Sequence, residues 1–328
     1  MLHIAILDYP RAQAAAVLGM TDLLVAAGDA AQSKDQAEGL VVSHWRKTSE
    51  KGRLIKVFAT AETTLAPNVC IMPPSLQGPP DADPVTIEWL KSLHDGGVVL
   101  ASVCTGAFVL GAAGLLEGRA VTTHWTYEER FRREFPSARI DTGRLIIDEG
   151  DVITAGGVMS WTDLVLTLIE RYFGYRIMSE IARGFLIDPP RREQSYYSSF
   201  LPHLDHGDQP VRQAQVHMQQ HLADETSLAE LSSVSGLDQR TFLRRFLKAT
   251  GLTATDYRQR LRVARSQDLL RNTTAKAEQI GWEVGYTDPS AFRRVFNRIV
   301  GLSPSEYRNR FSIRASSALS APNRYQGP

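Results

Sequence analysis

The sequence predicts two differently folded parts. The first is an α/β domain of nucleophile-elbow type with a parallel sheet sandwiched by helices, and the second is an all-α domain with two helix-turn-helix units. Strand-like and helix-like segments alternate as far as residue 174, the pattern of parallel sheets with helical crossovers. Residues 187–210 then hold four prolines and break every period. Beyond them the chain has helical periods and no strand-like run.

The elements of the first half follow from apolar patterning. Five runs are short and apolar or alternate in polarity, as strands do: 3–9, 40–45, 54–59, 68–73 and 98–104. Four segments have helical composition or period: 12–28, 84–97, 105–116 and 159–174. A further segment, 144–157, is typical of a hairpin that turns at Glu149-Gly150.

Formal charge is distributed unevenly along the chain. Residues 210–315 contain 17 basic and 10 acidic residues, whereas the remainder contains 20 basic and 26 acidic residues. A net charge of +7 on the C-terminal third, against −6 elsewhere, is expected when one domain binds a polyanion such as DNA. A chance imbalance on a solvated surface is the alternative at this point.

The composition excludes several classes of protein. The chain has two cysteines, Cys70 and Cys104, and no CxxC pair, which argues against a disulfide scaffold and against a cysteine-rich zinc site. The first apolar run is too short for a signal peptide, and no run approaches the roughly 20 residues that span a bilayer. We therefore expect a cytoplasmic protein with no membrane partner, no metal and no cofactor.

An internal repeat occupies the C-terminal third. Residues 236–260 match residues 285–310, which have one extra residue in their turn. The paired positions include Phe242 with Phe292, Arg244 with Arg294, Phe246 with Phe296, Gly251 with Gly301 and Tyr257 with Tyr307. Another helical segment precedes each copy, so each copy predicts a helix, a tight turn and a second helix.

The second helix of each copy is predicted to have a core side and a DNA side. Its two phenylalanines are four residues apart and therefore lie on one side, while the opposite side can enter a major groove. The predicted base-reading residues are Arg240, Leu243, Arg244, Ser290, Arg293 and Arg294. The predicted phosphate contacts are Arg245, Lys248 and Arg298. A pair of helical hairpins that binds protein is the alternative.

Residues 211–311 resemble the AraC/XylS family of bacterial transcription regulators, most clearly in IGWEVGYTDPSAFRRVFNRIVGLSPSEYR. The resemblance implies a monomeric reader of two adjacent major-groove segments, with a central helix at about Thr253–Leu270. The family's base-reading positions fall on the six residues named above. Leu243 is apolar where a polar reader is common, so it contacts a thymine methyl or reads nothing. RNA polymerase is an implied partner, and the family leans toward activators.

A cysteine of the first half occupies a distinctive place. VVLASVCTGAF predicts a strand that ends on Cys104 and a helix that follows at once, which is the geometry of a nucleophile elbow. The helix N-terminus there favours a thiolate, and the Thr105 N–H is a candidate anion-hole donor. His124 follows twenty residues later, and Cys with His is the minimum for thiol catalysis. A buried cysteine that only packs is the alternative.

Residues 1–185 resemble the PfpI-like branch of the class I glutamine amidotransferase-like superfamily. The matching stretches are SVCTGAFVLGAAGLLEGRAVTTHW and ITAGGVMSWTDLVLTLIERYFG. The resemblance makes Cys104 the elbow cysteine and His124 its partner. Active members also carry a carboxylate just after the first strand, but residues 7–20 offer none in phase. We therefore expect a small-molecule pocket without established catalysis, lined by Cys104, Thr105, His124 and Trp125.

The predicted domain organisation combines both resemblances. Residues 1–186 form a ligand-sensing and dimerisation domain, 187–210 a linker, 211–311 the DNA-binding domain and 312–328 a disordered tail. Proteins that join a PfpI-like domain to an AraC-type domain look like regulators of amino-acid, betaine or other nitrogen-compound metabolism, which implies an effector of that class. The main hypothesis is a homodimeric regulator that binds a double-stranded DNA operator under the control of a small metabolite.

Two other hypotheses remain open. The chain is alternatively a thiol amidase, hydratase or glyoxalase-like enzyme that carries a DNA-binding tail, and this reading depends on Cys104 and His124. A third hypothesis is a redox switch through oxidation of Cys104. The other cysteine, Cys70, lies on a predicted core strand, so no resolving cysteine is evident.

Overall fold

The computed structural model describes residues 1–33, 39–49, 52–189 and 193–312. It divides into two compact domains, Met1–Gln194 and Ser195–Pro328. The tail predicted to be disordered, residues 312–328, lies outside the described residues from residue 313 onward.

The N-terminal domain is built on a mixed sheet that has seven strands among the described residues. The described part of the domain has nine strands in all: β1 Leu2–Leu7, β2 Leu40–Lys47, β3 Leu54–Ala59, β4 Val69–Met72, β5 Val99–Val103, β6 Ala120–Val121, β7 Arg139–Ile140, β8 Ile146–Asp148 and β9 Val152–Ala155. The order in the main sheet is β3-β2-β1-β4-β5-β9-β8. Its five central strands are parallel, as predicted, whereas the edge strands β3 and β8 pair antiparallel with their neighbours. Strands β6 and β7 form a separate parallel pair.

Helices cover both faces of the main sheet. They are α1 Ala14–Gln32, α2 Pro84–Asp95, α3 Ala107–Ala112, α4 Glu128–Glu134 and α5 Trp161–Gly184. Side chains of a strand alternate between faces, so Ile4 and Ile6 pack with α1 and α5, while Ala5 and Leu7 pack with α2, α3 and α4. Helix α5 extends beyond the predicted 159–174 and is kinked at Gly174, whose φ is 81°.

Helix α1 corrects one expectation from the sequence. Its 19 residues reach a mean hydropathy of 1.4, so by length and composition it qualifies as a membrane-crossing segment. Half of that stretch is buried within the domain, where α1 packs against α5 and β2. Such burial is typical of a core helix in a globular domain.

The described part of the C-terminal domain is helical. Its α-helices are α6 Gln209–Gln220, α7 Leu228–Ser235, α8 Gln239–Thr250, α9 Ala254–Asn272, α10 Ala277–Glu283, α11 Pro289–Val300 and α12 Pro304–Phe311. Helices α7 and α8 form the first helix-turn-helix unit, called unit one, and α10 and α11 form unit two. The predicted central helix is α9. Each unit has its own core, around Phe242 and Phe246 in unit one and around Phe292 and Phe296 in unit two.

The boundary between the domains falls inside the predicted linker. Residues from Ser195 onward belong to the C-terminal domain. The ring of Phe200 meets that of Tyr257 edge-to-face at 5.1 Å, and Gln267 Nε2 donates to the Ser198 carbonyl at 2.9 Å. Residues 198–200 of the proline-rich stretch therefore pack on the C-terminal domain. The overall composition of that stretch gave no indication that an aromatic residue in it would make such a contact.

Candidate DNA-binding surface and cysteine site

Helices α8 and α11 present the predicted base-reading residues on their outer sides. Phe242, Phe246, Phe292 and Phe296 are fully buried on the inner sides. The six predicted readers are all exposed: Arg240, Leu243, Arg244, Ser290, Arg293 and Arg294. A helix that is anchored on one side and polar on the other suits a major groove.

Aspartates fix the start of both helices. Asp238 accepts a hydrogen bond from the Thr241 N–H at 3.0 Å. Asp288 accepts from the N–H groups of Ser290 and Ala291 at 2.8 and 3.0 Å. These N-caps satisfy backbone donors that would otherwise have no partner, and they define the helix end from which a recognition helix contacts bases.

The exposed arginines of the two recognition helices differ in whether they already have an ion-pair partner within the protein. The side chains of Arg240 and Arg244 have no hydrogen-bond or ion-pair partner among the described residues. In α11, Arg293 pairs with Glu278 of α10, and Arg294 lies 3.9 Å from Asp288. A base contact by α11 therefore requires exchange of protein partners, whereas a contact by α8 does not.

The three predicted phosphate contacts are in different situations. Lys248 is exposed, and Arg298 is exposed and donates to Gln259. Arg245 is half-buried and donates two hydrogen bonds of 2.8 Å to Asp208, the N-cap of α6. These hydrogen bonds hold the pKa of Asp208 below its usual range. The bidentate pair argues against the predicted phosphate role of Arg245 and gives it the role of tying α6 to α8.

In the N-terminal domain, Cys104 lies at a sharp corner between β5 and α3. Its φ is 55°, a left-handed conformation that is uncommon outside glycine. A short 3₁₀ turn, Cys104–Gly106, leads from the strand into α3. A Cβ on Gly106 would lie 2.5 Å from the Met72 carbonyl oxygen, so the corner packs tightly against the end of β4. The predicted elbow geometry is present.

The expected thiolate is not favoured at this corner. Cys104 is 1% exposed, and burial raises its pKa to about 11 although hydrogen bonds to Thr105 act in the opposite direction. Burial penalises the charged form more than the short turn stabilises it. The hydroxyl of nearby Tyr9 donates to the Pro73 carbonyl, and burial, with a smaller contribution from Cys104, raises the pKa of Tyr9. Cys104 is therefore a neutral thiol near pH 7.

His124 is brought beside the elbow through its neighbour Thr123. The Thr123 hydroxyl donates to the Cys104 carbonyl at 2.6 Å. His124 Nδ1 accepts from the hydroxyl and the N–H of Thr126 at 2.8 and 3.3 Å, which assigns the proton of the neutral ring to Nε2. Burial lowers its pKa. The described structure has no hydrogen bond between the side chains of Cys104 and His124.

Thr105 and Trp125 are held by residues that sequence reasoning did not identify. The Thr105 hydroxyl accepts from the Ser75 N–H at 2.9 Å. The backbone N–H of Trp125 donates to Gln194 Oε1 at 2.9 Å. The Trp125 ring lies 5.8 Å from the His124 ring. Gln194 is 2% exposed and also donates to two carbonyls in this region. Its place in a proline-rich stretch gave no signal of this role.

The segment after β1 places no carboxylate beside Cys104 and His124. Asp8 pairs with Arg46, whose Nε lies 3.1 Å from Oδ2. Asp22 is exposed on α1. Gln13 is the N-cap of α1, and its side-chain oxygen is buried without a hydrogen-bond partner among the described residues. The site thus has an uncharged thiol and an uncharged imidazole, and among the described residues the segment after β1 supplies no carboxylate of the kind expected of a thiol enzyme.

Comparisons with known proteins agree with both halves of the fold. A profile of the DJ-1/PfpI family matches residues 74–171, and a helix-turn-helix domain profile matches residues 231–310. The HTH-type transcriptional regulator CdhR of Pseudomonas aeruginosa is 27% identical over 65% of this chain, and the regulator GbdR of the same species is 27% identical over 64%. The matches cover 63% and 57% of those proteins, so this chain spans less than two thirds of their length.

An enzyme is also among the relatives. The isonitrile hydratase of Pseudomonas putida is 30% identical over 53% of this chain and 73% of its own length. From its two profiles and its relatives, the chain belongs to the AraC-type helix-turn-helix regulators that carry an N-terminal DJ-1/PfpI domain.

Proposed function

We propose that this protein binds operator DNA and regulates transcription, most simply as an activator that contacts RNA polymerase, under the control of a small metabolite. The doubled helix-turn-helix carries the proposal, because α8 and α11 both expose arginines opposite a buried phenylalanine pair. Guanidinium groups in that position can reach guanine edges in a major groove. Two such helices joined by α9 suit two neighbouring groove segments.

The N-terminal domain supplies the sensor in this proposal. Its elbow combines a neutral thiol, a neutral imidazole and the rings of Trp125 and Tyr127, which lie within 6.2 Å of the His124 ring. Uncharged donors and aromatic surfaces bind a small molecule without requiring that they transform it. The family leads us to propose an amino acid or a related nitrogen compound as effector, a homodimer as the active form and the cytoplasm as the location.

The DNA-binding half is tested by removing one arginine from each recognition helix. We expect the double variant Arg244→Ala/Arg294→Ala to bind an operator selected with the wild-type protein at least about a hundredfold more weakly at fixed salt, since each base-reading arginine contributes about 1–3 kcal/mol. A matched control, Arg130→Ala/Arg132→Ala on α4, changes the net charge equally. Unchanged affinity of the first variant would refute the proposal.

The sensor half is tested by thermal unfolding with a panel of amino acids and methylated amines. A true effector at about a hundredfold excess over its Kd stabilises the folded state by about 2.7 kcal/mol. We expect His124→Ala to abolish the shift and Arg130→Ala to retain it. A shift that persists in His124→Ala would move the effector site elsewhere.

A Cys104-dependent enzyme is the second candidate. The strained φ of 55° and the isonitrile hydratase relative favour it, while the raised pKa of Cys104 and the missing carboxylate oppose it. An alkyl isonitrile incubated with wild type and with Cys104→Ser separates the candidates. Turnover that disappears in the variant would establish the enzyme, and we expect none in either protein.

A further inference from the structure

A buried cation separates the two cores of the C-terminal domain. The core of unit one ends along α9 at Leu261, and the core of unit two begins at Val263. Arg262 lies between them and is 8% exposed. Burying a guanidinium costs folding free energy unless its N–H groups are hydrogen-bonded. The acceptors of Arg262 therefore indicate which segments it connects.

Those contacts reach both helix-turn-helix units. Arg262 donates to the carbonyls of Leu222, Ala223 and Asp224 at 2.9, 3.3 and 3.0 Å, in the loop that leads from α6 into unit one. It also donates to the Gly285 carbonyl at 2.9 Å, in the turn of unit two. All four hydrogen bonds end on backbone oxygens, which side-chain substitutions elsewhere cannot remove.

The two segments held by Arg262 also touch each other. A Cβ on Gly285 would lie 2.3 Å from the Ala223 carbonyl oxygen and 2.6 Å from Arg262 Nη2. The ring of Tyr286, the next residue, lies 5.4 Å from the guanidinium carbon and supplies a cation–π contact. The turn of unit two is therefore seated directly on the loop that precedes unit one.

The internal repeat shows that this role is not shared by the other arginines. Arg258 of α9 donates at 2.8 Å to the carbonyl of Thr226, just before unit one, and its repeat partner Arg308 of α12 donates to the carbonyl of Ala275, just before unit two. Each of these equivalent residues thus ties the helix that follows a unit to the segment that precedes the same unit, and Arg308 also donates to the Leu270 carbonyl of α9 at 3.4 Å. The residue equivalent to Arg262 is Ser312, so the bond between units has no counterpart in the repeat.

We propose that Arg262 is a positioning residue that fixes the spacing and angle between the two recognition helices, so that the protein prefers operators with one separation of its two contacted segments. This rests on the proposed DNA-binding function. Arg262 itself is buried and touches no DNA in this scheme. It acts by making two helix-turn-helix units a rigid pair, which lets both bind without a further loss of orientational freedom.

The test uses the full-length protein and DNA selected by it from a random library. From the best site, variants are made with one to three base pairs inserted or deleted between the two protected segments. Affinities are measured at fixed salt for wild type, Arg262→Ala, Arg262→Lys and Arg265→Ala. Arg265 is an exposed arginine of α9 that lies 3.7 Å from Glu283 and does not join the units. Circular dichroism and thermal unfolding confirm that each variant is folded.

For wild type and Arg265→Ala we expect about a tenfold or greater preference for the best spacing over a two-base-pair shift, because a rigid pair cannot adjust to it. For Arg262→Ala we expect that preference to fall to about threefold or less. Arg262→Lys should give an intermediate preference, and it replaces Arg262→Ala in the test if Arg262→Ala does not fold. If the Arg262 variants lose affinity equally at every spacing, or lose none, the inference about Arg262 is wrong while the proposed DNA-binding function stands. A wild type that selects no sequence overturns both.

Discussion

The two helix-turn-helix units have the same pattern of core residues but different charge contacts. Their phenylalanines occupy matching buried positions, and both recognition helices begin at an aspartate N-cap. In unit one, the side chains of Arg240 and Arg244 have no hydrogen-bond or ion-pair partner among the described residues. Unit two differs, since its recognition arginines face carboxylates.

One residue accounts for much of this difference. Glu278 of α10 pairs with Arg293, and the repeat places Ala229 at the equivalent position of unit one and Leu243 opposite it. The fold of a helix-turn-helix thus constrains its buried side chains, while the outer surface varies independently. We infer that unit one is ready to bind DNA and that unit two must first give up internal ion pairs.

The turns provide the second contrast. Gly236 and Gly285 have left-handed φ values of 64° and 88°. A Cβ on Gly236 would meet nothing within 4 Å, whereas one on Gly285 would overlap the Ala223 carbonyl. The space beside the turn is therefore open in unit one, whereas in unit two the turn packs against the loop that precedes unit one.

The largest predicted effect follows from these turns. Gly236→Ala should destabilise the C-terminal domain by roughly 1 kcal/mol, the cost of a left-handed non-glycine residue. Gly285→Ala should cost about 1–3 kcal/mol more because the added methyl also overpacks the junction. Urea unfolding of the two variants, followed by helical circular dichroism, measures the difference. Equal losses would mean that the junction relaxes freely and that the units are not rigidly joined.

The sequence predicted these two units because their core pattern is local. Phenylalanines at i and i+4, a glycine turn and a second copy at an offset of 50 are visible without any tertiary information. The elbow at Cys104 was predictable for the same reason, since an apolar strand runs directly into a small-residue helix. The fold, and the exposure of the six predicted base-reading residues, could therefore be predicted from the sequence, while their base-reading role stays a prediction.

Contacts between distant residues were not predictable in that way. Asp208 accepts a hydrogen bond from Arg245, a predicted phosphate contact, although 37 residues separate them. Gln194 supports the loop of His124 from a stretch interpreted as linker. The thiolate expected at Cys104 is disfavoured because burial, which no local pattern specifies, outweighs the helix N-terminus. Arg262 was hidden because a polar residue on a long helix is ordinarily solvated.

The second prediction separates Lys248 from Arg245, two neighbouring cations of unit one. Lys248→Ala should weaken operator binding and reduce the slope of log affinity against log salt by about 1, as expected for the loss of one phosphate contact. Arg245→Ala should leave that slope unchanged, because its guanidinium is already bound to Asp208. It should instead lower Tm by about 2–4 °C by freeing α6 from α8. A reduced slope in Arg245→Ala would restore its phosphate role.

The smallest predicted effect tests the contrast in charge directly. Glu278→Ala gives unit two the residue that unit one has at the same place, frees Arg293 and removes a negative charge beside a predicted base-reading residue. We expect operator affinity to rise about two- to fivefold at low salt, the scale of an exposed ion pair. Glu283→Ala is the matched control, because Glu283 lies on the same helix but faces Arg265 at 3.7 Å. If both variants tighten binding equally, net charge alone is responsible, and the Glu278–Arg293 pair does not restrain unit two.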